Sequence, residues 1–170
     1  MKGIRGVHHV AISVPDLASA EAFYCGVLGF DCIDQYDFEA SSQGDQILGI
    51  KNGAAKSILI RGGNIFLEIF EFITPEQTGM NLMRPVSNHG YTHIALDVDG
   101  DINEVYHTLA KAGVKWHTPP SASSEEGSAL IMTYGRDPFG NIIEIQKLSD
   151  DSRLHLKQLP NWQHKGQENG

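Results

Sequence analysis

Residues 9–14, His-Val-Ala-Ile-Ser-Val, alternate between aliphatic and small or polar side chains. In an extended chain this alternation puts Val10, Ile12 and Val14 on one face and His9, Ala11 and Ser13 on the other. The phrase returns at residues 93–98, His-Ile-Ala-Leu-Asp-Val, where His93, Ala95 and Asp97 share a face. After each strand the apolar positions change to helical spacing. Leu17, Ala20, Tyr24, Val27 and Leu28 predict a helix between Asp16 and Gly29. Ile102, Val105, Leu109 and Ala112 predict one between Asp101 and Gly113. Each opens at an Asp able to cap free N–H groups and closes at a Gly suited to a left-handed residue. Strand-like stretches follow, at 30–38, 57–61 and 65–73 and then at 114–117, 128–134 and 141–147. A turn, Arg61-Gly62-Gly63-Asn64 in one half and residues 136–141 in the other, precedes the last strand of each half.

The pattern is βαβββ written twice, an internal repeat that predicts an α+β fold. The first module is expected at 1–75 and the second at 91–148. Between them, 76–90 is a linker rich in Pro, Gly, Asn and Ser. The tail, 149–170, is polar, with Leu154, Leu156, Leu159 and Trp162 able to dock on the body.

The aliphatic face of each first strand is expected to pack on its own helix. The opposite face sets small residues beside one imidazole, which suits a pocket better than a core. The last strand of each module carries an acid among apolar neighbours, Glu68 in Ile65-Phe66-Leu67-Glu68-Ile69-Phe70 and Glu144 in Ile142-Ile143-Glu144-Ile145. A carboxylate in a buried strand is costly unless paired or bound to a cation. A lone strand His or Glu is more often structural than a ligand; the duplication of both reverses those odds. Two imidazoles and two carboxylates, His9, Glu68, His93 and Glu144, suit one divalent ion such as Zn, Ni, Co, Mn or Fe. His8 is adjacent to His9 but is expected on the opposite face of the strand, and would replace it only if the strand phase slipped by one. Glu71 lies on the face opposite Glu68 and is expected to be solvated. Asp97 shares the face of His93, to orient a ligand or to meet water.

Composition narrows the partners. The chain has 170 residues, 41% hydrophobic and 20% charged, enough to bury a core. A formal net charge of −8 argues against nucleic acid, whose binding needs a basic surface. No apolar run reaches the roughly 18–20 residues of a membrane span, and no secretory h-region opens the sequence. A cytoplasmic protein is the expectation. Cys25 and Cys32 cannot form a disulfide framework and match no zinc spacing.

The repeat, with His9-Val10-Ala11, Asp16-Leu17, Phe23-Tyr24, Leu28-Gly29-Phe30, His93-Ile94-Ala95 and Asp137-Pro138-Phe139-Gly140-Asn141 before Glu144, resembles the vicinal oxygen chelate superfamily. That family includes glyoxalase I, methylmalonyl-CoA epimerase, fosfomycin-resistance enzymes, extradiol dioxygenases and bleomycin-resistance proteins. The resemblance covers roughly residues 5–148. It implies paired βαβββ modules forming a cup-shaped mixed sheet, with helices outside and one metal within, held by His9, Glu68, His93 and Glu144. This ligand set is most like that of glyoxalase I and near that of the epimerases. It implies a lyase or isomerase that chelates vicinal oxygens of a small carbonyl or thioester substrate. A proton then moves through an enediolate, with Glu144 as base and Glu68 as ligand or second base.

Phe66, Phe70, Met132 and Tyr134 are candidates to line the cup, although aromatic and thioether residues on strands more often serve packing than specific contacts. Arg61, Arg84 and Arg136 are candidates for a substrate anion or plain surface residues. Asn81, Asn88, His89 and Trp116 fall near the linker or rim without a motif. The long segment from Glu39 to Lys56 and the tail depart from compact glyoxalases. The alternatives are an Fe(II) ring-cleaving dioxygenase, against which Glu68 counts, and a non-catalytic resistance-type binding protein. A homodimer is expected, with the site in one chain or shared between two.

Overall fold

A computed structural model of the chain describes residues 6–78, 84–123 and 130–158. Parts of the expected linker, the start of the 128–134 stretch, and Leu159 and Trp162 of the tail lie outside them. The chain divides into two compact units, one up to residue 79 and one beginning at residue 80.

In the first unit, β1 (His9–Ser13) leads into α1 (Leu17–Glu21), whose N–H groups are capped by Asp16 accepting from Ser19 at 2.7 Å. The helix widens into a π-helical segment, Ala22–Val27, that buries Phe23 and Tyr24. Gly29 then turns the chain at φ +71°. Next come β2 (Asp31–Phe38), α2 (Ser42–Leu48), β3 (Ala54–Arg61) and β4 (Phe66–Thr74). The sheet order is β1-β4-β3-β2, with β1 parallel to β4 and the other pairs antiparallel. The helix α2 lies within the long 39–56 segment, whose last residues belong to β3.

The core of this unit is one face of the sheet. Ile12, Ile58, Ile60, Leu67 and Ile69 are buried together with Leu17, Ala20, Phe23 and Tyr24. Strand alternation then sends His9, Ala11, Ser13 and Glu68 to the other face, as the pattern predicts. Exposure along β1 follows it, with Ile12 buried and His9, Ala11 and Ser13 exposed.

The second unit repeats the plan with β5 (Ile94–Asp97), α3 (Ile102–Lys111), β6 (Lys115–Trp116), β7 (Ser121–Ala122), β8 (Ile131–Arg136) and β9 (Ile142–Lys147). Its order is β5-β9-β8-β6, with β5 parallel to β9 and β7 also pairing β8. Asp101 caps α3 by accepting from Asn103, and Gly113 ends it at φ +101°. The expected strand at 114–117 is only two residues long, and the edge of the sheet is broken into β6 and β7. Buried Ile143 and Ile145 share their side with Ile102, Leu109 and Val114. The fold class is α+β: two mixed sheets, each beginning with a parallel first-to-last strand pair. No helix among the described residues is long and apolar enough to cross a membrane. In the tail, a 3-10 turn at Leu156–Gln158 half-buries Leu156, whereas Leu154 stays exposed and does not dock.

Candidate functional site

Register carries the chemistry of each sheet. Ala11 lies beside Glu68 in the β1–β4 pairing, and Ala95 lies beside Glu144 in the β5–β9 pairing. The two registers are the same. A methyl group at that position leaves room for the imidazole two residues earlier to reach the acid. His9 Nε2 stands 3.3 Å from Glu68 Oε2, and His93 Nε2 stands 3.1 Å from Glu144 Oε2. His9, not His8, faces the carboxylate. The phase of the strand is therefore the one the alternation predicts.

The other ring nitrogen of each histidine is also engaged. Nδ1 of His93 meets Thr92 Oγ1 at 2.9 Å, and Nδ1 of His9 meets Nδ1 of His8 at 2.9 Å. In the second contact one ring must donate and the other accept, because two lone pairs would repel. If His9 presents an unprotonated Nε2, its Nδ1–H is the donor. In each unit the residue preceding the histidine therefore helps to fix the ring. His8 also stacks on Phe66, with ring centroids 5.2 Å apart.

A phenol completes each pair, and neither phenol follows from the repeat. Tyr36 on β2 donates its hydroxyl to Glu68 Oε1, the oxygen not facing His9. In the second sheet Tyr134 is the cross-strand partner of Glu144. Its ring lies edge-on to His93 with centroids 4.9 Å apart. Burial, followed by a hydrogen bond to Glu144 and the charge of that carboxylate, pushes the Tyr134 hydroxyl up to about 12. It is a proton donor at any ordinary pH. Tyr36 escapes sequence reasoning because β2 and β4 are not adjacent strands, and no short-range pattern reports such a contact.

The pairs differ in solvation. Glu144 is buried at 5% exposure, whereas Glu68 is half-buried. Ahead of Glu144, Asp137 builds the turn into β9. Its buried carboxylate accepts from Phe139 N, Asn141 N and Asn141 Nδ2. The Asp137-Pro138-Phe139-Gly140-Asn141 stretch is thus a turn held by the Asp137 carboxylate, and it leads directly into β9, which carries Glu144.

Other sequence candidates resolve unevenly. Met132 and Tyr134 line a cleft of about 490 Å³ in the second unit, with His117 and Thr118. Phe70 stacks on Phe72 at 5.5 Å and meets Phe38 at 6.2 Å, which makes it part of an aromatic cluster. Arg136 donates to the carbonyls of Gly140 and Arg84, at 3.0 and 2.5 Å. Arg61 pairs with Asp31 at 3.0 Å. Trp116 stacks on Tyr106 and donates to its carbonyl at 3.1 Å. Glu71 corrects the expectation of a solvated acid. It lies on the helix side, and its Oε2 accepts from Leu17 N at 2.8 Å, so it stabilises the start of α1. Ser57 went unnoticed in the sequence. It is fully buried beside Phe70 and Tyr36, and its hydroxyl has no hydrogen-bond partner among the described residues.

The donors suit a metal in kind and spacing. Two ligands about 2.1 Å from one ion, at octahedral to tetrahedral angles, stand about 3.0–3.4 Å apart. Both His–Glu separations fall in that range, which a plain ion pair would also satisfy. Each unit supplies two such donors. Among the described residues no group of three or more His, Cys, Asp or Glu side chains is assembled to hold an ion.

The family model for the Glyoxalase/Bleomycin resistance protein/Dioxygenase superfamily matches residues 6–145, and the chain belongs to that superfamily. Among curated proteins, it is 33% identical over 145 residues to the uncharacterized protein YaeR of Escherichia coli (strain K12), covering 85% of this chain and 98% of that one. It is 23% identical over 141 residues to the mitochondrial methylmalonyl-CoA epimerase of Homo sapiens, covering 83% and 73%. Among solved structures, a glyoxalase family protein from Bacillus cereus superposes with a TM-score of 0.74 at 21% identity, covering 88% of this chain and 99% of that one. This last likeness concerns the fold.

Proposed function

We propose that the chain is a divalent-metal-dependent lyase or isomerase that moves a proton at a carbon next to a carbonyl. The observation that carries this reading is the repeated pair, an imidazole Nε2 and a carboxylate oxygen 3.1–3.3 Å apart at the same register in both sheets. In this reading His9, Glu68, His93 and Glu144 serve one ion, drawn from a single chain or from two chains of a homodimer. When bound, a divalent ion supplies Lewis-acid polarisation of a substrate carbonyl.

The rest is the work of the chain. His9 and His93 present unprotonated Nε2 atoms, their rings held by His8 and Thr92. Glu144 removes the proton from the carbon and returns it to the same or the neighbouring carbon, an epimerisation or an isomerisation. Its burial suits this role, because bulk water is kept from competing for the proton. Glu68 serves as ligand or second base. The epimerases among the relatives make a small branched acyl thioester the first substrate to try, and a hemithioacetal the second.

The test is exchange of substrate C–H for solvent deuterium, followed by proton NMR with protein loaded with Ni, Co, Zn or Mn. Wild type is expected to exchange, and Glu144→Gln to lose at least a hundredfold in rate. Full exchange activity in both Glu144→Gln and Glu68→Gln would exclude the proposed base. Oxygen uptake with catechols, in place of exchange, would instead support a ring-cleaving enzyme.

A further inference from the structure

We infer that Tyr36 and Tyr134 are positioning residues for the two carboxylates, each phenol holding one side of its acid so that the other side stays turned toward the imidazole. The inference rests on the divalent-ion reading of the site.

A carboxylate at the end of a Glu side chain turns with little restriction about its last bond. An ion that needs one oxygen at a fixed place must then bear the entropy of stopping that rotation. A hydroxyl already bonded to one oxygen removes much of that cost. In the first unit the division is explicit. Oε1 of Glu68 takes the Tyr36 hydroxyl, and Oε2 stands 3.3 Å from His9 Nε2. In the second unit Tyr134 lies directly across from Glu144, and Oε2 stands 3.1 Å from His93 Nε2. The same ring packs edge-on against His93, so Tyr134 packs on one donor of its pair and lies across the strands from the other.

The strand positions argue against inherited packing. Leu59 faces Glu68 where Tyr134 faces Glu144. The first sheet has no phenol at the equivalent place and draws one from β2 instead, across β3. Two unrelated positions supplying the same donor to equivalent acids indicate that the acid requires it.

The experiment measures Co(II) and Ni(II) binding to metal-stripped protein by calorimetry, and the visible spectrum of the Co(II) form. Tyr36→Phe and Tyr134→Phe keep the ring and remove only the donor. Each is expected to weaken binding by roughly 10–100-fold and to shift the Co(II) bands. In a Tyr36→Ala background, adding Leu59→Tyr is expected to recover affinity, because it copies the arrangement of the second sheet. Tight wild-type binding with an unchanged Kd and unchanged bands in both Phe variants would overturn the assignment of the phenols alone. No binding by wild type would overturn it together with the divalent-ion reading.

Discussion

The two sheets run the same topology at the same register, yet they fill equivalent positions with opposite solutions. In the first, Ile60 pairs with Cys32; in the second, Gly135 pairs with Trp116. A large residue faces a small one in both cases, with the order reversed. The phenols behave alike, arriving from β2 in one sheet and β8 in the other. Identity and place are kept together at His9 and His93, at Ala11 and Ala95, and at Glu68 and Glu144, as they are at Ile69 and Ile145 and at Arg61 and Arg136. The comparison separates two kinds of constraint. Packing requires that a volume be filled, and either strand can fill it. The proposed chemistry needs a particular atom at a particular point, and His9 and His93, and Glu68 and Glu144, recur as it would require.

The largest expected effect breaks the exchanged volumes. A Cβ at Gly135 would lie 2.5 Å from Trp116 Cε3 and 2.9 Å from the carbonyl oxygen of Lys115. Gly135→Ala is therefore expected to destabilise the protein by about 2–3 kcal/mol, read from the shift of the urea midpoint. Combining it with Trp116→Ala is expected to cost less than the two changes added together. Strict additivity would mean that the pair is not coupled.

Ser57 sharpens the comparison at the next scale. Its counterpart in the second sheet is Met132, which has no hydroxyl to satisfy. A buried hydroxyl without a partner is a net penalty, so Ser57→Ala is expected to stabilise by about 1 kcal/mol with an unchanged m-value. A loss of similar size would indicate that the hydroxyl has a partner in solution.

The smallest effect separates the helix starts. Hydrogen bonds from the side chain and backbone N–H of Ser19 hold the Asp16 carboxyl below the ordinary aspartate range. A lowered folded-state value means that this contribution is fully present above the ordinary range. It fades as pH falls through the folded-state value. The stability gap between wild type and Asp16→Ala is expected to be flat near neutrality and to close in acid, measured as midpoint differences from pH 7 to pH 2. A gap that does not change with pH would assign the effect to helix propensity instead.

Much of the candidate site was legible because its signals are local. Alternation assigned His9 and His93 to one face, and the repeat singled out Glu68 and Glu144. Asp16, Asp101, Gly29 and Gly113 marked the helix ends. The misses were of another kind. Glu71 looked solvated because nothing near it in sequence reveals that it meets Leu17, far back in the chain. Tyr36 looked like any residue of an exposed strand. The broken edge at β6 and β7, and the π-helical widening after Glu21, leave no mark in the local periodicity.

The sequence by itself determined the repeat, the strand faces and the paired donor types, since periods of two and 3.6 residues follow from backbone geometry alone. Tertiary structure decided which residues hold those donors in place: the phenols, the helix-capping Glu71 and the exchange of Ile60 with Cys32 for Gly135 with Trp116. These contacts join residues on different strands and helices. Their strength depends on distances and volumes that exist only once the sheets have formed.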